Sequence, residues 1–136
     1  MKKTYTVTPA LCVGCKTCEM SCAFAHPVKG QPGVSRIRID ADLQGRPGLS
    51  KVVVCLQCEE AACVAACPAN ALWKDAELGV IKHLEERCIR CASCVAACPF
   101  GNMHWEEKAL APRKCDLCLG DPKCARFCPT GALRYE

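Results

Sequence analysis

Sixteen cysteines fall into four groups of four along the 136 residues, and their spacing constrains the fold more than any other feature. Every group begins with C-x2-C and ends with C-x3-C, and the last three groups end in Cys-Pro. The third group matches in full the C-x2-C-x2-C-x3-C-P run that holds cubane iron–sulfur clusters, and the other three depart from it only in the middle spacing or the final proline. The groups are Cys12, Cys15, Cys18, Cys22; Cys55, Cys58, Cys63, Cys67; Cys88, Cys91, Cys94, Cys98; and Cys115, Cys118, Cys124, Cys128. The pattern predicts four [4Fe–4S] clusters.

The four cysteines of one group are not expected to bind the same cluster. In two-cluster ferredoxins the first three cysteines of a run hold one cluster, and the fourth binds its neighbour. Applied here, this rule assigns all sixteen thiols with none spare. The predicted sets are Cys12, Cys15, Cys18 with Cys128; Cys22 with Cys115, Cys118, Cys124; Cys55, Cys58, Cys63 with Cys98; and Cys67 with Cys88, Cys91, Cys94. The pairing of the first group with the fourth is a hypothesis.

An internal repeat indicates how the groups are arranged. The sequence CVAACP occurs at Cys63–Pro68 and again at Cys94–Pro99. The second and third groups therefore form one predicted two-cluster ferredoxin unit at 51–105. The first and fourth groups flank it, and we expect them to form an outer unit from 1–50 and 106–136. The predicted fold is α+β, with two nested ferredoxin-like units.

Short elements are predicted around the cysteine groups. Alternation and turn residues predict strands at Ala71–Trp73 and Val80–His83 around a turn at Gly79, and a strand Tyr5–Val7 beside Ala132–Tyr135. In the cysteine groups the expected helices are Cys18–Phe24, Cys63–Cys67, Cys94–Cys98 and Cys124–Cys128. Each of the last three should stop at the proline that follows its final cysteine.

The longest stretch without cysteine contains an expected insertion at about 26–50. Within it, SRIRID at Ser35–Asp40 alternates polar and apolar residues, and Val52–Val54 is a short apolar run. With the turn-rich LQGRPG between them, these segments predict a β-hairpin. The alternative is an irregular insertion packed over the clusters.

The ordinary hydrophobic core is expected to be thin, because the 51% hydrophobic fraction includes the 16 cysteines. Something else must then stabilise so small a fold, and metal binding can do so directly. Two other interpretations of a cysteine-rich chain are a disulfide scaffold and structural zinc. The first usually accompanies a secretory signal, and we recognise none in the N-terminal residues. The second typically lacks a third cysteine so close behind the pair and a trailing Cys-Pro.

Charge and hydropathy exclude several other classes of protein. The formal charge of +4 reverses if sixteen thiolates hold four cores of about +2 each, because the clusters then add about −8. We therefore expect no nucleic-acid partner. No segment approaches the roughly 20 apolar residues that span a bilayer. With neither a Sec nor a Tat signal recognised, the expected location is the cytoplasm, without membrane insertion.

Side chains beside the cysteines could adjust a cluster. His26 follows the first group and is a candidate for tuning its cluster. Six cations lie within or beside the groups, either as solvated charges or as charges that raise a potential or dock a partner. They are Lys16, Arg90, Arg113, Lys114, Lys123 and Arg126.

The four runs resemble those of a known family, the four-cluster ferredoxin-like electron-transfer subunits of the dimethyl-sulfoxide-reductase type. The resemblance covers nearly the whole chain. Its first motif, the SRIRID that follows and its fourth motif look most like the small subunit of tungsten-dependent aldehyde oxidoreductases. The runs are CVGCKTCEMSCAFAH, CLQCEEAACVAACP, CIRCASCVAACPFGNM and CDLCLGDPKCARFCPTGAL.

The resemblance implies a chain of clusters that carries single electrons between a catalytic subunit and an acceptor. The implied catalytic partner is a tungsten or molybdenum pterin enzyme, and the acceptor a flavoprotein subunit or a soluble ferredoxin. Carbon monoxide dehydrogenase, hydrogenase or formate dehydrogenase are alternative partners. The residues themselves show no nucleotide fingerprint and no nucleophile–base pair, so the chain is not expected to be an enzyme. A free shuttle ferredoxin and a structural or sensory module remain open.

Overall fold

The computed structural model describes residues 3–40 and 50–136, which form short strands and short helices. None of the helices in these two ranges is long and apolar enough to span a membrane. Short turns of 3-10 type lie at Pro9–Leu11 and Leu117–Gly120. In chain order the elements are β1 (Tyr5–Val7), α1 (Thr17–Ala25), β2 (Arg38–Asp40), β3 (Lys51–Val53), α2 (Ala62–Ala66), β4 (Leu72–Lys74), β5 (Ile81–His83), α3 (Ser93–Ala97), β6 (His104–Glu106), β7 (Ala111–Arg113), α4 (Lys123–Phe127) and β8 (Leu133–Tyr135).

The strands pair in four antiparallel ribbons: β1 with β8, β2 with β3, β4 with β5, and β6 with β7. Tyr5 lies opposite Tyr135, so the predicted pairing of the two chain ends is confirmed. The predicted strands on either side of Gly79 are confirmed as β4 and β5. The β2–β3 pair confirms the two arms of the predicted hairpin, although the proposed LQGRPG turn lies outside the described residues.

The chain divides into two compact units. One, called here the split unit, comprises Met1–Val54 and Asp121–Glu136, and the other, the continuous unit, comprises Cys55–Gly120. The split unit contains α1 packed against α4, and the continuous unit contains α2 packed against α3. The continuous unit also contains the β6–β7 hairpin, which the predicted boundary between 105 and 106 divides. The nested ferredoxin assignment remains a prediction.

Cysteine side chains form part of the hydrophobic core. In the continuous unit, Leu72, Ile81, Cys94 and Met103 form a buried cluster. Three more cysteines pack against this cluster, namely Cys63, Cys67 and Cys98. Because predicted metal ligands occupy positions that aliphatic side chains would fill in an ordinary core, the core and the candidate metal centres are continuous.

The helices begin and end close to the predicted positions, with one correction. Cys67, Cys98 and Cys128 were expected inside their helices, but each lies just beyond the last helical residue, with φ near −70° and ψ near +110°. Proline follows all three, and the residue before a proline is driven out of the helical region by its ring. Cys22 is followed by alanine and stays inside α1, which continues to Ala25.

Candidate metal centres

The loops between paired cysteines share one backbone feature. The second residue between the first and second cysteines has positive φ in all four groups: Gly14 (73°), Gln57 (51°), Arg90 (61°) and Leu117 (53°). This conformation costs roughly 1–2 kcal/mol for a residue with a Cβ. It turns the Arg90 N–H to within 3.4 Å of Cys88 Sγ and the Leu117 N–H to within 3.4 Å of Cys115 Sγ. In the third and fourth groups the loop thus folds an amide donor towards the sulfur of the first cysteine.

Sequence reasoning missed this backbone conformation because only Gly14 among the four positions is glycine. The sequence carries no signal at Gln57, Arg90 or Leu117, whose side chains do not favour positive φ. Strained backbone of this kind persists only where its surroundings over-determine it. Metal ligation by the cysteines on either side of each residue is a suitable constraint.

The third cysteine of each group is the second residue of its helix, as shown by Cys18, Cys63, Cys94 and Cys124. Burial raises the pKa of Cys18 to about 12 and also raises the pKa of Cys63 and Cys94. Burial disfavours the charged thiolate, so each of these thiols is held more strongly in its protonated form. A bound metal removes that proton, because a coordinating thiol is deprotonated outright.

The fourth cysteines lie among hydrogen-bond donors. The Ala71 N–H is 3.3 Å from Cys67 Sγ, and the Asn102 N–H is 3.4 Å from Cys98 Sγ. Burial alone would raise the pKa of Cys98, but backbone N–H groups led by that of Asn102 hold it below its ordinary value. Backbone donors do the same for Cys128, against the effect of burial. These donors favour the thiolate form that binds metal.

His26 lies beside the fourth cysteine of the first group. Its Nδ1 is 3.7 Å from Cys22 Sγ and 3.0 Å from the Cys22 carbonyl oxygen. The Arg36 N–H donates to the same sulfur at 3.2 Å. Burial would raise the pKa of Cys22, but the His26 and Arg36 donors hold it below its ordinary value. The geometry fits a role of His26 at Cys22, while tuning of a cluster by this histidine remains a prediction.

Four predicted ligands meet at one cavity in the split unit, called here the first cavity. Cys12, Cys15, Cys18 and Cys128 line about 330 Å³ of empty space that is open to solvent. Ile39, Val52 and Leu133 form an apolar wall, and Lys16 lies at the exposed side. Cysteines from the two ends of the chain therefore come together here, as the crosswise scheme requires.

A second cavity in the continuous unit has the same construction. It is lined by Cys55, Cys58, Cys63 and Cys98, again around about 330 Å³ of empty space. Ile81 forms part of its wall, and Leu56 and Phe100 lie at its exposed side. Four cysteine thiols that line one space supply the soft thiolate ligands that iron–sulfur clusters take.

The other two predicted ligand sets differ in how their members are distributed between the two units. Cys67 and Cys88 lie close enough to Cys94 for their charges to raise its pKa, although burial contributes more, and Cys91 completes that set in the same unit. The remaining set is divided between the units. Its members are Cys22 and Cys124 in the split unit, and Cys115 and Cys118 in the continuous unit. All four ligand assignments remain predictions.

Gln57 connects several parts of the continuous unit and was not singled out from sequence. Its Oε1 accepts from the Ile81 N–H at 2.8 Å and from Lys114 Nζ at 3.2 Å. Its Nε2 donates to the Cys115 carbonyl oxygen at 2.8 Å. These partners are distant in sequence, so no local pattern could reveal this role.

Comparison with known proteins identifies the family. A model described as "4Fe-4S dicluster domain" matches residues 50–136, and one described as "4Fe-4S binding domain" matches residues 9–25. The chain belongs to the 4Fe–4S dicluster family. Its cysteines accordingly bind multiple [4Fe–4S] clusters, which confirms the iron–sulfur prediction.

Curated relatives have related names. The aliphatic sulfonate oxidoreductase polyferredoxin-like subunit of Pyrococcus furiosus is 39% identical over 90% of this chain and 69% of its own length. The electron transport protein YsaA of Escherichia coli is 38% identical over 90% of this chain and 82% of its own. The NADH-dependent phenylglyoxylate dehydrogenase subunit beta of Aromatoleum evansii is 36% identical over 97% of this chain but only 30% of its own length. The first two names agree with the prediction of a non-catalytic electron-transfer protein.

Proposed function

We propose that this chain is an electron-transfer subunit that carries single electrons through four [4Fe–4S] clusters between a catalytic oxidoreductase subunit and a redox acceptor. The proposal rests chiefly on the second cavity, where Cys98 of the third group lies with Cys55, Cys58 and Cys63 of the second. Sharing of cysteines between groups is what two-cluster ferredoxins do. It holds adjacent clusters close together, as electron transfer requires.

The proposed ligand sets are those predicted from the spacing. Each set supplies four thiolates, so no coordination position is left for a substrate. When bound, each cluster accepts and releases one electron. The cysteine side chains hold it, and the backbone N–H groups at Cys67, Cys88, Cys98 and Cys115 stabilise negative charge on sulfur. This arrangement supports electron transfer and not bond chemistry.

Substitution of the crosswise ligands tests the sets. Cys98→Ser should alter the electron paramagnetic resonance signal of the cluster held by Cys55, Cys58 and Cys63, because serine oxygen replaces one of its sulfurs. Cys67→Ser is the matched control, since Cys67 occupies the equivalent position of the other CVAACP repeat and should alter the other cluster of that pair. If Cys98→Ser instead alters the same signal as Cys91→Ser, a ligand of the third group, the crosswise assignment is wrong.

The proposed catalytic partner is a tungsten or molybdenum pterin enzyme that oxidises aldehydes. This follows from the resemblance of the first and fourth motifs, while the relatives' names cover several oxidoreductases. Anaerobic purification from native extract, followed by size-exclusion chromatography and metal analysis, tests it. We expect a stable complex that contains tungsten or molybdenum and about sixteen iron atoms per copy of this chain. A free monomer would instead indicate a shuttle ferredoxin, and nickel in the partner would contradict the pterin enzyme.

A further inference from the structure

Lys114 is a buried lysine of the continuous unit, with only 5% of its surface exposed. Its ammonium donates to Gln57 Oε1 at 3.2 Å, to the Ile81 carbonyl oxygen at 2.9 Å and to the Cys115 carbonyl oxygen. An ammonium has three protons, so these acceptors use all of them. All three acceptors are neutral. The positive charge therefore lies away from water without a carboxylate hydrogen-bonded to it among the described residues.

Burial of a charge in this way is costly unless another charge compensates it. The groups that accept hydrogen bonds from the Lys114 ammonium lie beside the second cavity, where a bound cluster would supply the compensating negative charge. Ile81 forms part of the wall of the second cavity, and Gln57 lies between Cys55 and Cys58, two of the cysteines that line it. The ammonium is thus tied both to the wall and to the ligand loop. In the same direction, the charge of Lys114 opposes the effect of burial on the pKa of Cys63, a third lining cysteine.

The other five cations beside the cysteine groups are placed differently. Lys16, Arg90 and Arg126 are exposed, and Arg126 also pairs with Asp121 at 2.7 Å. Lys123 pairs with the same carboxylate. Arg113 pairs with Glu106 at 3.2 Å and Glu85 at 3.5 Å. Of the six, only Lys114 is buried.

We infer that Lys114 is a potential-setting residue, whose fixed positive charge raises the reduction potential of the cluster held in the second cavity. The inference rests on the proposed function, because it requires a redox cluster bound by Cys55, Cys58, Cys63 and Cys98. One-electron reduction adds one negative charge to the cavity, with no bond made or broken and no proton transferred. A nearby positive charge stabilises the reduced form more than the oxidised form. Burial preserves this effect, because water and salt screen a buried charge much less than an exposed one.

Lys74 provides a matched control within the same unit. Its Nζ donates to the Gln57 carbonyl oxygen at 3.0 Å and the Cys58 carbonyl oxygen at 3.3 Å, so it contacts the same ligand loop. It also pairs with the Glu59 carboxylate at 2.6 Å, and 23% of its side chain is exposed. A lysine that is neutralised and partly hydrated should affect the potential far less.

The test is a redox titration of the anaerobically purified holoprotein, followed by electron paramagnetic resonance. The electrons come from a chemical reductant through mediators. Lys114→Met should shift midpoint potentials downward, and the largest shift should be in the signal that Cys98→Ser alters. Lys114→Arg keeps the charge and should restore the potential. Lys74→Met should leave it within the error of the titration. An unchanged potential in Lys114→Met, or an equal shift in Lys74→Met, would overturn the inference.

Loss of Lys114 could also prevent cluster loading, so a second variant keeps the ammonium in place. Gln57→Glu puts a carboxylate against it and neutralises it, and should shift the same potential downward. Iron content per chain establishes loading for every variant. If a fully loaded Gln57→Glu protein retains the wild-type potential, the inference fails even when Lys114→Met does not load. Clusters that do not cycle reversibly in the wild type would instead refute the proposed electron-transfer function.

Discussion

The first and second cavities have the same donors but different cations. Each is lined by four cysteine sulfurs around a similar space, and each has an isoleucine in its wall. Lys16 lies at the exposed side of the first cavity, whereas Lys114 is buried behind Ile81 of the second. The comparison shows that two sites with equivalent cysteine lining differ in the burial of the nearby positive charge. We therefore expect the cluster of the second cavity to have the higher potential.

The two units also differ in where the fourth cysteine of the cavity lies in the sequence. In the continuous unit Cys98 comes from the next cysteine group, while in the split unit Cys128 comes from the opposite end of the chain. The β1–β8 pairing brings that end back. Closing the longer loop costs more conformational entropy, although the cost grows only slowly with length.

Removal of iron should have the largest effect on stability and should remove the difference between the two cavities. If metal–thiolate bonds stabilise both units, chelation should unfold both, because metal-binding free energy, about 10 kcal/mol or more for structural sites, is folding free energy here. Far-ultraviolet circular dichroism and hydrogen exchange would measure the loss. Native-like protection in either iron-free unit would show that its aliphatic core is sufficient.

Substitution of the wall isoleucines should have a smaller effect and compares the two cavities directly. Ile81 is 1% exposed and belongs to the core cluster with Leu72 and Met103, while Ile39 is 6% exposed. We expect Ile81→Ala to cost about 3–4 kcal/mol and Ile39→Ala about 2–3 kcal/mol, since a more enclosed site leaves a larger cavity. Anaerobic urea denaturation of the loaded proteins would measure both. Equal costs would indicate that the two walls are equally packed.

Loop conformation should have the smallest effect. Gly14 and Arg90 occupy equivalent positions with positive φ in the first and third cysteine groups. Gly14→Val should lower stability by roughly 1–2 kcal/mol, because a β-branched residue is poorly tolerated there. Arg90→Gly should be neutral or stabilising by up to about 1 kcal/mol, since strain relief opposes the greater entropy of the unfolded chain. The same denaturation assay applies, and destabilisation by Arg90→Gly would show that the arginine side chain contributes there.

Much of the local structure was predictable because it depends on neighbouring residues. The strands beside Gly79, the helices after the third cysteines and the pairing of the chain ends were all predicted. The exact end of three helices was not, although the Cys-Pro sequence contains the reason. Pyrrolidine sterics move Cys67, Cys98 and Cys128 out of the helix and into extended backbone.

The sequence by itself determined the metal chemistry, because thiol spacing over a few residues is that of an iron–sulfur cluster run. Only the tertiary structure decided which cation is buried, since Lys114 is one of six similar charges in sequence and its acceptors at Gln57 and Ile81 come from distant segments. The positive φ of Gln57 and Arg90 was equally beyond prediction. Cysteine spacing depends only on residues that are neighbours in sequence, whereas burial and backbone strain arise only when distant segments pack together.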